Sequence, residues 1–108
     1  MSVPFVTSLR SRPAIIRLAP EGAGAITIRV EMPEVWDVVA IAALPSTPVV
    51  AVKGAALQVL FPEAALHQDF VVKSRGWEIL DEAASLADAG VVDGSILLVT
   101  HRRRRAVR

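Results

Sequence analysis

The chain has no cysteine and no tyrosine, only two histidines, and aromatic residues at 5%. Without cysteine there is no disulfide, no thiolate metal site and no thiol nucleophile, and redox chemistry says nothing about compartment. Hydrophobic residues make up 53% of the composition, yet no apolar run approaches the roughly 18 residues needed to cross a bilayer. Arg10, Arg12 and Arg17 interrupt the first twenty residues, so the continuous apolar core of a leader is missing there. The expectation is one soluble, cytoplasmic domain, since 108 residues can bury a modest core without metal or disulfide.

Chemistry-bearing residues are equally sparse. His67 and His101 have no partner at metal-ligand or triad spacing. Asp81 and Glu82 are adjacent in sequence and read as solvated loop carboxylates. None of the glycines forms a phosphate-cradling motif. Neither catalysis nor a bound metal or cofactor is expected.

The net charge of +1 conceals an uneven distribution. Residues 25–101 carry four bases against ten acids, a net charge of −6. The last seven residues hold five arginines, Arg102, Arg103, Arg104, Arg105 and Arg108. The boundaries follow: an N-terminal arm over 1–24, flexible or extended, a folded domain over 25–101, and a basic tail over 102–108. Within the arm, residues 14–18 lie between Pro13 and Pro20 and suit an extended segment along a sheet edge.

Ile26, Ile28 and Val30 alternate with Thr27, Arg29 and Glu31, the signature of a half-buried strand. Residues 33–35 supply a turn, and 36–44 return as a second strand with Val39, Ile41 and Ala43 on the buried side. Pro45-Ser46-Thr47-Pro48 is a helix start, with Thr47 as cap and Pro48 at the first helical position. Val49, Val52, Ala56, Val59 and Leu60 then recur on one face of a helix of about thirteen residues, ended by Pro62. Gly54 weakens that helix by about 1 kcal/mol relative to Ala and leaves it room to sit close on the sheet.

The C-terminal half opens with an apolar strand at 70–72, turns over Ser74-Arg75-Gly76, and gives a second short run at Ile79-Leu80. Ser85 heads a single helical turn closed by Gly90, Asp93-Gly94 makes another turn, and 96–99 reads as a final strand.

This order resembles ubiquitin and its β-grasp relatives over about 26–101. The matching residues are Gly76 after the third strand, Leu86 of the helical turn, Val91 five positions later, and Ser95 before the last strand. The resemblance implies an α+β β-grasp fold, a mixed four- to five-stranded sheet of order 2-1-5-3-4 with one main helix across one face. The opposite face would be open to partners. Val72, Leu97 and Val99 would then join the core, and Val71, Lys73, Leu98 and Thr100 would look outward.

Ubiquitin and the sulfur carriers of that family act through a C-terminal Gly-Gly, and no Gly-Gly occurs in this chain. The resemblance therefore implies a non-conjugated module that binds proteins, an adaptor or accessory subunit of a larger complex. In size and in the missing Gly-Gly it is similar to the small ubiquitin-like proteins of type VII secretion loci. The candidate partner-binding residues are Val38, Ala40, Val71, Lys73, Leu98 and Thr100, with Ala42 beside them, a small apolar set for a solvent-facing sheet. Lys73 takes the place of ubiquitin's central surface isoleucine. The arginines of the tail would attract an acidic or membrane-associated protein. Two alternatives stand beside this reading: nucleic-acid or anionic-surface binding through the tail, and an atypical modifier or sulfur carrier. An exposed edge strand would also allow self-association.

Overall fold

A computed structural model of the chain describes residues 15–20, 22 and 24–102. Among the described residues six strands and one α-helix are formed: β1 (Ile15–Arg17), β2 (Ile26–Met32), β3 (Asp37–Ala43), α1 (Val49–Leu60), β4 (Phe70–Ser74), β5 (Trp77–Glu78) and β6 (Ile96–His101). The sheet order is β1-β3-β2-β6-β4-β5. With β1 set aside, this is the expected 2-1-5-3-4 order. The arm contributes the extra strand, which raises the expected four or five strands to six. β1 runs parallel to β3, with Ile16 opposite Ile41.

Alternation sets the two faces. Ile28, Val30, Val39 and Ile41 point inward and are 4% exposed or less, because each strand sends successive side chains to opposite sides. Leu97 and Val99 of β6 and Val72 of β4 join them, and α1 lies over this face with Val49, Val52, Ala56, Leu57 and Leu60 buried. Leu57 was absent from the helical face read from the sequence, and Val59 is only half-buried.

Thr47 does not cap α1. Its Oγ1 accepts from the Leu44 amide at 3.1 Å, and Pro48 occupies the cap position. The first-turn amides of Val49 and Val50 instead donate to the carbonyls of Ala84 and Glu82 at 2.9 and 2.8 Å. The Leu86 amide returns a bond to the Thr47 carbonyl. The 82–87 loop thus satisfies groups that a helix start leaves open. Ser85 does cap its own turn as expected, its Oγ accepting from the Asp88 amide at 3.0 Å, and Leu86 and Val91 drop into the core.

Lys53 lies within the apolar stripe of α1 and is 3% exposed. Its ammonium reaches Glu82 Oε1 at 2.6 Å and donates to the Phe70 carbonyl at 3.0 Å. Glu82 is therefore not the solvated loop acid expected from its neighbour Asp81. The pair survives burial because the two charges match each other, the ammonium is further hydrogen-bonded to the Phe70 carbonyl, and the carboxylate keeps some contact with solvent.

Two local geometries also differ from expectation. Arg75 and Gly76 take φ of 54° and 83°, the two positive values of a tight hairpin. This turn pairs Ser74 with Trp77 and moves the fourth strand two residues upstream of Ile79-Leu80. Gly54 does not face the sheet: a methyl group there would meet only the His67 ring, at 3.8 Å.

Gly54→Ala is expected to raise the stability measured by urea unfolding by up to about 1 kcal/mol. Glu82→Ala, which strands a buried ammonium, should cost about 3 kcal/mol, whereas the double change Lys53→Met with Glu82→Leu should stay within about 1 kcal/mol of the parent chain.

Candidate functional site

The face of the sheet away from α1 is built by the other half of each alternation. Across it, Val71 pairs with Thr100 and Lys73 with Leu98. Lys73 also faces Glu78 across the β4–β5 hairpin. These five residues, with His101 and Arg102, line one open groove of about 590 Å³. Val71 forms its floor: it faces away from the helix as expected but is 4% exposed, so it is covered rather than presented to solvent. Lys73, Leu98 and Thr100 are half-buried along the walls.

Val38 and Ala40 do not join this groove. β2 stands between β3 and β6, and it presents Glu31 opposite both Val38 and Leu98, and Arg29 opposite both Ala40 and Ile96. A charged column therefore splits the apolar set read from the sequence. Ala42, at 3% exposure, is covered.

Arg102 closes one end of the groove. Its amide donates to the Asp69 carbonyl at 2.6 Å, its Nη2 donates to the Gln68 carbonyl at 3.4 Å, and its Nη1 lies 3.7 Å from Glu78 Oε2. An exposed pair at this distance is worth about 1 kcal/mol or less, so the guanidinium exchanges carboxylate partners at little cost. Arg103, Arg104, Arg105 and Arg108 lie outside the described residues. Glu78 is absent from the candidates read from the sequence, and His101 was read there only as a histidine without a metal or triad partner; the two-residue turn at Arg75-Gly76 was the signal that would have set Glu78 opposite Lys73.

Glu34, from the β2–β3 turn, pins the C-terminal end of β6, the end that Arg102 continues. Its Oε2 accepts from Thr100 Oγ1 and from the His101 amide, both at 2.6 Å. Burial pushes this carboxyl up, but the bonds from Thr100, the His101 amide and its own backbone amide, with the His101 ring charge, outweigh it and hold the group below its ordinary 4.5. The His101 ring packs edge-on against Phe70, centroids 5.0 Å apart.

Among the described residues no three His, Cys, Asp or Glu side chains converge into a metal site, and no helix is long and apolar enough to cross a membrane.

No family model matches the sequence, and no curated protein does. Solved structures do. The chain is similar to the ubiquitin-like domain of an Arabidopsis thaliana protein, at 17% identity over 84% of this chain and 93% of that one, with a TM-score of 0.63. It is similar to Caldiarchaeum subterraneum ubiquitin at 17% identity over 77% and 100% of the two chains, TM-score 0.61. It also matches ATBAG1, solved in complex with HSP70, at 22% identity over 70% of this chain and 40% of that one, TM-score 0.58. At these identities the likeness is one of fold, and the fold is the ubiquitin-like β-grasp.

Because the folded Glu34 titrates below its unfolded value, its contribution to stability is present above pH 4.5 and fades as pH falls through the lowered folded value. The His101 amide resonance should accordingly titrate with a midpoint below 4.5, and Glu34→Gln should abolish that titration. A midpoint at or above 4.5 would contradict the arrangement.

Proposed function

We propose that the chain is a non-catalytic docking module that joins a larger protein complex through the β4–β6 groove. The observation that carries this reading is the convergence of Val71, Lys73, Leu98, Thr100 and Arg102 on one concavity. An apolar floor with Lys73 and Arg102 on its walls, both beside Glu78, fits a partner segment that offers an apolar side chain next to a carboxylate able to take over from Glu78. Burial of Leu98 against that side chain, over the Val71 floor, supplies affinity, and Lys73 with the arginines 102–105 supplies attraction and orientation. ATBAG1, a fold neighbour, was solved bound to another protein, which is in keeping with a binding role. An accessory role, as in the type VII secretion loci, and a cytoplasmic setting remain part of this proposal on the grounds given from the sequence.

The arginine tail favours one second reading, binding to nucleic acid or another polyanion. Trp36 and Trp77 are 95% and 80% exposed, as stacking residues would be. They lie at opposite ends of the sheet, because β2 and β6 are parallel and β4 runs against β6. A single strand of nucleic acid would therefore find no continuous aromatic track.

With a tagged full chain recovered from its native cells, Leu98→Asp should reduce the co-purifying partner at least about ten-fold while the fold, followed by circular dichroism, is kept. Lys73→Glu should weaken capture more at low than at high salt. Undiminished recovery with Leu98→Asp would reject the groove. A salt-sensitive mobility shift of nucleic acid that disappears when the tail arginines are replaced would favour the second reading instead.

A further inference from the structure

A second groove, of about 330 Å³, lies at the β2–β3 turn and is unrelated to the one above. It is lined by Glu31, Met32, Pro33, Trp36, Asp37 and Val38. Trp36 is held at φ 55°, its amide donating to the Pro33 carbonyl at 3.1 Å, and its ring is 95% exposed. Val38 beside it is 40% exposed. An apolar hollow with an indole face and two carboxylates on its rim matches a guanidinium, whose flat cation stacks on an aromatic ring while its edge meets carboxylate oxygens.

The chain carries a source of guanidinium groups beside this hollow. Glu34 of the same turn accepts from Thr100 and His101, so β6 ends next to the turn. Residues 103–108, which hold Arg103, Arg104, Arg105 and Arg108, begin one residue beyond. From β6 across β2 to β3 is two strand spacings, roughly 10 Å. Six extended residues reach up to about 20 Å. The acidic body and the basic tail supply the charge complementarity.

We propose that the Trp36 groove is the resting cradle of the chain's own basic tail, with an arginine from 103–108 stacked on the indole and paired to Glu31. Held there, the tail is screened from other anions. An acidic partner or polyanion must draw it out, so the cradle sets how strong a competing charge has to be.

The test uses the full chain carrying Trp77→Phe, which leaves Trp36 as the only tryptophan. Its acrylamide quenching is compared with that of the same chain in which Arg103, Arg104, Arg105 and Arg108 are all changed to Gln. A cation–π contact at an exposed site gives a roughly two- to five-fold preference for the stacked form, so the quenching constant should rise about two-fold in the Gln variant. Glu31→Gln should give a rise in the same direction, and high salt should erase the difference between parent and variant. Equal quenching of parent and tail variant at low salt would overturn the proposal. Protection that grows with protein concentration would also overturn it, because the tail would then be binding a second copy.

Discussion

The contact between Lys53 and Glu82 organises more of this molecule than its size suggests. Moving an ammonium out of water costs several kcal/mol unless it is matched, so the Lys53 position on α1 demands both Glu82 and the Phe70 carbonyl. Satisfying it fixes three elements at once: the helix, the start of β4, and the loop that follows β5. Glu82 also accepts the Val50 amide through its carbonyl, so one residue both neutralises the buried lysine and caps the start of the helix. The loop held this way delivers Leu86 and Val91 to the core.

That staple reaches the open face indirectly. Phe70 begins β4, and its register against β6, opposite His101, determines that Val71 meets Thr100 and Lys73 meets Leu98. Glu34 holds the same end of β6 from the other side. The floor of the groove is therefore set by backbone register and packed neighbours, and only side chains on its walls, such as Lys73 and Arg102, need ordering when a partner arrives. Opposite these constraints stands Trp36, a bulky residue in left-handed backbone at a cost of roughly 1 kcal/mol, whose ring takes no part in the core.

Local pattern in the sequence carried most of the architecture. Alternation through Ile26–Met32 and the paired strand Asp37–Ala43 specified the packed face, and Leu86, Val91 and Ser95 occupy the places that the resemblance implied. Long-range pairing was less legible. Lys53 falls on the apolar stripe by its spacing from Val49 and Ala56, but its partner lies in a distant loop, and nothing local distinguishes Glu82 from Asp81. β1 was legible as an extended segment suited to a sheet edge, but three residues do not announce which strand they pair with. The candidate residues divide for a topological reason: Val71, Lys73, Leu98 and Thr100 share adjacent strands, whereas β2 inserts Arg29 and Glu31 before Val38 and Ala40 are reached.

The dependence of the fold on the buried pair is tested most directly by native-state hydrogen exchange. If the 82–87 loop is part of the core through Lys53 and Glu82, the amides of Val49, Val50 and Leu86 should exchange only through the global unfolding that also exposes Val30 and Val99, and in Glu82→Gln they should exchange ahead of those strands. Exchange of Val49, Val50 and Leu86 through a separate low-energy opening in the parent chain, unchanged by Glu82→Gln, would contradict the account.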